Sequence, residues 1–379
     1  MKNVILITTL LLFPVISYAQ NIDLASSISS DEEIDNVDTE IENEEKNVND
    51  KDTFSFLNFS FIKKNIDNNS ENTEDASETK ETPLEKIHRK AQEGKLDAQL
   101  SLGYMYLYGQ DGVQVDYKKS FYYYELAARQ NNAIALNNLG SLYFNGIGTE
   151  INYQKAAELF FKAAQNGSDD AAVNLAFIYL SSDDSEQHEA AINLFKEASK
   201  AGNNTAKFML GYAHYKGFVV EQNFHKAIEN IKEAAKYKLD IAQYMLGMMY
   251  RNGEGIAKNY GNAVKYLRMA ANQGNVPAMM ELGDIYAQGT IYPKNEYMAH
   301  VLFNIASVYD APGADERRDE VETLLKIENL LQAQTTAEKF QETPSELTSY
   351  IRQTYGYDVR LYIDENLKKQ KKVKIQNDQ

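Results

Sequence analysis

The chain has 379 residues, no cysteine, no tryptophan, 26 tyrosines and a formal net charge of −16. The absence of cysteine excludes a disulfide framework, a Cys-ligated zinc and a Cys-attached lipid. The charge is concentrated near one end, where residues 21–82 hold 18 Asp/Glu against 5 Lys. Neither that stretch nor the nearly balanced remainder offers the cationic face that a nucleic-acid binder needs to release phosphate counterions.

Residues 1–19 read as a secretory signal peptide. Lys2 gives the positive start, Val4 to Ile16 the apolar run, and Ser17-Tyr18-Ala19 the small residues for cleavage before Gln20. The run is short for a bilayer span, an uncleaved N-terminal anchor being the alternative, and no later segment approaches about 20 apolar residues. A soluble, exported protein is expected, periplasmic or outer-membrane-associated, alternatively secreted. Residues 20–82 have the low hydrophobicity and like charge of a disordered acidic linker. Within it the aromatic island Phe54 to Ile62 suits an extended segment, docking on a partner or folding back as a lid.

Thr82-Pro83-Leu84-Glu85 is a helix start: an N-cap hydroxyl, a proline at the first helical position and a glutamate at the third. The helix it opens should run to about Glu93 and stop at Gly94. Six copies of one unit then follow through Tyr309. Phase is set by Gly103, Gly140, Ala176, Gly211, Gly247 and Gly283, spaced by 37, 36, 35, 36 and 36 residues. Leucine precedes each marker, alanine stands five residues before it, and tyrosine three after it except at His214. Two further alanine series follow, from Ala156 to Ala299 (with Ser120 in the first copy) and from Ala127 to Ala306. A self-similar period of this length is the signature of a solenoid. Each copy reads as two antiparallel helices, with small residues where helices approach and loop glycines such as Gly146/Gly148 and Gly253/Gly255 supplying positive φ. The third copy has Ser181-Ser182-Asp183-Asp184-Ser185 in place of those glycines, so the least regular loop is expected there.

After Tyr309 the phase is lost. Residues 315–340 suggest one amphipathic helix carrying Val321, Leu324, Leu325, Glu328 and Leu331 and covering the open end of the array. Thr343-Pro344-Ser345-Glu346 repeats the earlier start signal, for a helix to about Thr354 ended by Gly356. Tyr357 to Ile363 suits a short strand or irregular tail, and Lys368 to Lys374 a frayed basic end. The organisation expected is signal peptide 1–19, linker 20–82, repeats 83–309, and capping helices with a basic tail over 310–379.

No nucleophile elbow, phosphate loop or dinucleotide fingerprint occurs, and His88, His188, His214, His225 and His300 have no metal-ligand spacing. His214 falls on a packing position. No catalytic residue, metal or cofactor is therefore assigned, and an enzyme is not expected.

The pattern A-x-x-x-L-G-x-x-Y-x-x-G, with Lys155-Ala156…Ala163-Ala164 and Lys226-Ala227…Ala234-Ala235, resembles Sel1-like repeats, relatives of the tetratricopeptide repeat. It covers roughly residues 83–340, and lacking the Cys pairs of many exported members, the chain looks like a cysteine-free exported bacterial member. The resemblance implies an all-α, right-handed α-solenoid of about six helix-pair repeats with capping helices. It also implies a non-enzymatic adaptor, since family members hold proteins together, some in envelopes of bacteria that infect host cells. In related solenoids the first helix of each repeat lines the concave side. Carried over, that register nominates Leu100, Tyr104, Leu107, Asn137, Phe144, Phe177, Phe208, Tyr212, Tyr215, Tyr244, Met248 and Arg251 as protein-binding, with Leu180 and Met280 on the same stripe. Aromatics, Met and Arg are enriched at binding hot spots; packing between repeats is the competing explanation. The partner expected is an envelope or outer-membrane protein, with no nucleic acid and no small-molecule substrate. A secreted effector acting on host proteins is the alternative, and a wall-cleaving enzyme is disfavoured.

Overall fold

The structure, a computed structural model, describes residues 81–377. The segment expected as a signal peptide, the segment expected as an acidic linker up to residue 80, and the Phe54–Ile62 island within it lie outside the described residues. Those described form seventeen α-helices and no strand. The opening helix α1 (Pro83–Gln92) starts as the sequence predicts, with Thr82 and Glu85 closing a capping box. Six helix pairs follow: α2 (Leu96–Tyr108) with α3 (Tyr117–Ala128), α4 (Ala133–Asn145) with α5 (Tyr153–Gln165), and α6 (Asp169–Leu180) with α7 (Ser185–Lys200). The next three are α8 (Asn204–Lys216) with α9 (Phe224–Lys236), α10 (Asp240–Asn252) with α11 (Tyr260–Asn272), and α12 (Val276–Gln288) with α13 (Glu296–Val308). The array is an all-α solenoid of six repeats. It divides into two compact units: Lys207–Leu361 is one, and the described residues up to Ala206 together with Tyr362 onward are the other.

The marker glycines work by what they leave out. A Cβ on Gly140 would stand 2.8 Å from the Phe160 ring, one on Gly247 2.9 Å from Leu267, and one on Gly283 2.5 Å from Phe303. Each second helix thus presses one large residue into the groove its own first helix leaves at the glycine. Tyr124, Phe160, Ile231, Leu267 and Phe303 are all buried there. Interiors are close-packed, so a single methyl is felt at such contacts. The alanine five residues before each marker and those of the second helices are likewise buried, letting backbones approach. Polar links recur with the same period: the Asn166 amide donates to the Asn131 carbonyl at 2.8 Å and that of Gln273 to the Lys238 carbonyl at 2.9 Å.

Within five of the repeats the turn is built in one way. The helix ends at a left-handed glycine, as at Gly253 with φ 78°. An Asx residue then caps the second helix: Asp116, Asn152, Asn223, Asn259 and Asn295 each accept the backbone N–H three residues on. The backbone N–H of each capping residue returns to the carbonyl of the residue three after the marker, as Asn259 does to Tyr250 at 3.0 Å. The third repeat departs, as its sequence predicts. Ser181 ends α6 in a right-handed conformation, and Ser182 donates through backbone and hydroxyl to the Tyr179 carbonyl. Asp184 caps α7 at the second helical residue rather than the third.

Beyond the repeats, three expectations are corrected. The single helix over 315–340 is two, α14 (Ala314–Glu322) and α15 (Ile327–Glu338), with extended backbone at Lys326 between them. No Gly or Pro marks that break. The bend lets Ala314, Val321 and Ala333 join the core under α13, while Leu324, Ile327 and Leu331 stay 59%, 66% and 57% exposed. Of the expected apolar face, Val321 is buried and Leu325 half-buried, while Leu324 and Leu331 point away and the small Ala314 and Ala333 take the contacts with the core. The helix α16 (Glu346–Tyr355) does form, capped by Ser345 rather than Thr343 and ended by Gly356. Of residues 357–363, expected as a short strand or irregular tail, only 357–360 is irregular. From Leu361 the chain, with the stretch from Lys368 to Lys374 expected to fray, forms the helix α17 (Leu361–Asn377).

In the Lys207–Leu361 unit, α16 lies against the start of α10. Leu239, the residue before α10, has no capping side chain. The Thr348 hydroxyl supplies the missing acceptor, taking the Asp240 N–H at 3.0 Å while donating to Gln273 Oε1 at 2.8 Å. Arg352 is buried beside it. One of its nitrogens donates at 2.8 Å to both the Asp240 carboxylate and the Gln273 carbonyl, and another to Glu342 at 3.1 Å. Buried charges persist only when paired and hydrogen-bonded, which these are.

Candidate protein-binding face

The nominated residues all fall on first helices at equivalent register, but the structure does not leave them equally open. In the unit containing the first three repeats, Leu100, Tyr104, Asn137, Phe177 and Leu180 are buried. Leu107 and Phe144 are half-buried and pack against the core of the first three repeats. The Asn137 side chain is committed between repeats, accepting from the Asn174 amide at 2.8 Å. The Tyr104 ring lies 4.7 Å from that of Tyr108, and Phe144 meets Tyr153 edge-on at 5.2 Å. Tyr108 is 51% and Tyr153 42% exposed. Aromatic surface is thus open here, contributed by residues beside the nominated stripe. Burial, followed by the Tyr108 neighbour, pushes the Tyr104 hydroxyl up to about 12, so it stays neutral at ordinary pH.

Phe177 has a different neighbour. The Tyr362 ring of α17 lies 4.8 Å from it, on a residue already seated on Phe195. The same helix sends the Asn366 amide to the Leu180 carbonyl at 2.8 Å, and Lys369 to Asp183 at 2.7 Å. The third repeat's share of the stripe is therefore covered by the chain's own C-terminal helix.

In the Lys207–Leu361 unit the stripe is an aromatic row. Phe208, Tyr212 and Tyr215 stack in sequence, each centroid 6.2 Å from the next, and Phe208 and Tyr212 are buried. The Tyr215 hydroxyl donates to Glu254 at 2.9 Å, and burial, then that carboxylate, raises its pKa to about 12. Arg360 lies over the Tyr244 ring at 5.1 Å and forms a two-pronged pair with Asp358. Desolvation raises the pKa of Tyr244, opposed by the Arg360 charge. Met248 and Met280 pack on the core shared by the last two repeats, and Arg251 pairs with Glu281. In this stripe, packing accounts for Phe208 and Tyr212, whereas Tyr215, Tyr244, Met248 and Arg251 keep partial exposure.

The sequence reading missed Tyr108, Tyr153 and the C-terminal segment. A signal was present for Tyr153. An aromatic follows the capping Asx in four repeats, at Tyr117, Tyr153, Phe224 and Tyr260, and both Phe144–Tyr153 and Tyr215–Phe224 pack through it. His214, placed by the sequence in a packing position, is only partly covered, its Nδ1 3.3 Å from the Glu221 carbonyl. Among the described residues no group of three or more His, Asp or Glu side chains could hold a metal ion. Nor is any helix among them long and apolar enough to cross a membrane.

Comparison with known proteins agrees with this architecture. The Sel1 repeat model matches residues 96–132, 133–168, 169–203, 205–236, 240–275 and 276–307, one segment per helix pair. The chain is 33% identical over 102 residues to a sel1-like repeat-containing protein of Acanthamoeba polyphaga mimivirus, covering 27% of this chain and 18% of that protein. It is 33% identical over 95 residues to the ERAD-associated E3 ubiquitin-protein ligase component HRD3B of Arabidopsis thaliana, covering 25% and 15%. The match thus spans under a fifth of these relatives' length. Among solved structures, a protective antigen of uropathogenic Escherichia coli strains displaying an SLR fold superimposes with TM-score 0.63 at 29% identity. The alignment covers 72% of this chain and 58% of that one. A Sel1 repeat protein from Oxalobacter formigenes gives TM-score 0.53 at 27% identity, over 60% and 99%. With six matched repeats covering more than half of its residues, the chain belongs to the Sel1 repeat family.

Proposed function

We propose that this chain is a non-enzymatic scaffold of the bacterial cell envelope that holds a protein partner on the face lined by its first helices. Sel1 repeat proteins are generally protein-interaction scaffolds, and a solenoid presents one side chain per repeat along a continuous surface. The observation that carries the reading is the open aromatic surface of the first two repeats, where Tyr108 and Tyr153 extend the Tyr104–Phe144 stripe into solvent. Tyrosine supplies large amphipathic contact area with few rotors to freeze, as binding surfaces require. The signal-like N-terminus and the likeness to an antigen of uropathogenic bacteria support an exported, infection-related setting. A secreted protein acting on host targets is the second reading, favoured by the same N-terminus.

The test is affinity capture from envelope extract with the full mature chain, beside the same chain carrying Tyr108→Ala and Tyr153→Ala. Both substitutions are at exposed positions, so circular dichroism should be unchanged. One abundant envelope protein retained by the first and lost by the second is the expected result. Equal retention by both would refute the face. No retention from envelope, with retention from host extract, would replace the envelope scaffold by the secreted reading.

A further inference from the structure

The third repeat is where the sequence abandons the family turn, and it is also where α17 sits. In the other five repeats a glycine-ended helix and a returning Asx N–H occupy the turn. In the third, Ser182 takes the Tyr179 carbonyl that the Asx N–H takes elsewhere. The carbonyl of the next residue, Leu180, accepts from the Asn366 amide at 2.8 Å, a side chain that is itself buried. On either side of that bond along the helix lie the Tyr362 ring on Phe177 and the exposed Lys369–Asp183 pair. Tyr362, Asn366 and Lys369 stand at i, i+4 and i+7, one face of a helix. The rest of α17 up to Lys372, the buried Ile363 aside, is half-buried or exposed. A helix held by so few buried residues opens locally at low cost relative to the repeats beneath it.

We propose that the third repeat is a receptor for a helix presenting tyrosine, asparagine and lysine in this order, and that α17 fills it as an internal, displaceable occupant. The inference rests on the scaffold reading and names the chemistry of a partner: an amphipathic helix with an aromatic and an amide one turn apart and a cation a turn further. The amide is the discriminating group. It satisfies a helix-end carbonyl that an apolar side chain would leave buried and unpaired. Helix-in-groove recognition uses this spacing of anchors. An internal occupant lowers a partner's apparent affinity by the fraction of time the site is free.

The probe is a fluorescent synthetic peptide of residues 358–379, titrated into the full chain and into the full chain carrying Tyr362→Ala and Asn366→Ala. Hydrogen exchange is followed on both chains. The double variant should lose protection in α17 while residues 169–200 keep theirs. It should bind the peptide at least tenfold more tightly than the unmodified chain does. A peptide with Asn366→Leu should not bind. Asp183→Lys, at an exposed site, should weaken binding severalfold, and Lys369→Asp in the peptide should restore it. Equal binding by both chains would overturn occupancy. A released α17 without peptide binding would overturn the receptor. Retained protection of α17, or joint loss of protection in residues 169–200, would show the helix to be an integral part of the repeat. The partner capture described above uses Tyr108 and Tyr153 and fails or succeeds independently of these outcomes.

Discussion

The marker glycines allow a graded test of how this solenoid is packed. Replacing Gly by Ala inside a helix stabilises by about 1 kcal/mol through backbone entropy alone. Against that stands overpacking, typically about 1–3 kcal/mol when a methyl is forced into a filled core. The distance available decides which effect wins. At Gly261, near the start of α11, the nearest atom to a new Cβ is Asn259 Oδ1 at 3.4 Å, so Gly261→Ala should stabilise by about 0.5–1 kcal/mol. At Gly103 the Tyr124 ring lies at 3.0 Å; a shift of a few tenths of an ångström relieves it, and the two effects should nearly cancel. At Gly283 the Phe303 ring lies at 2.5 Å with a second ring atom at 2.9 Å. Phe303 is fully buried and has nowhere to go, so Gly283→Ala should cost about 1–2 kcal/mol net. Guanidinium unfolding of the three variants gives the overall change, and hydrogen exchange in α12 and α13 gives the local one. Adding Phe303→Leu to Gly283→Ala should give a favourable coupling of about 1 kcal/mol in a double-mutant cycle. The reasoning is refuted if Gly283→Ala is no less stable than Gly103→Ala, or if the Phe303 cycle shows no coupling.

Three further outcomes follow from the polar interior. Arg352→Ala should cost about 3–5 kcal/mol, because it strips the buried Asp240 carboxylate of its cation; Arg352→Ala with Asp240→Asn should recover part of that in thermal unfolding. The carboxyl of Asp170 is pushed up to about 6 by burial and then by Asp169, against a bond from Asn203. The fold therefore holds a proton that the unfolded chain has released, and stability falls as pH rises from about 4 through 6. Asp170→Asn should remove that slope and stabilise at pH 7 by less than about 3 kcal/mol, screened because the group is partly exposed. His300 behaves oppositely. Burial lowers its pKa, opposed by Glu322, so the fold binds fewer protons than the unfolded chain and loses stability as pH falls below about 6.5. His300→Gln should flatten that acid limb, read as thermal midpoint against pH.

The repeat itself was legible in the sequence because its physics is local and periodic. Helix pairs of fixed length need leucine, alanine and glycine at fixed offsets to pack on their neighbours, so six copies write the same constraint six times. The capping box at Thr82 and the irregular third turn were legible for the same reason: a cap or a turn is decided by the few residues that make it. What lies beyond Tyr309 was not. The break at Lys326 has no local signal and follows from bringing Ala314 and Ala333 onto α13. The Thr348 hydroxyl serves a helix start 108 residues earlier in the chain. Asn366 answers a carbonyl 186 residues before it. The site divides along the same line. Register placed Tyr104, Phe144, Phe177 and Tyr244 on one stripe of first helices. Only the tertiary structure decided which of them packs, which is covered by α17 or Arg360, and which opens to solvent through Tyr108 and Tyr153. A periodic pattern specifies the faces of a helix, but burial depends on every other segment that competes to cover them.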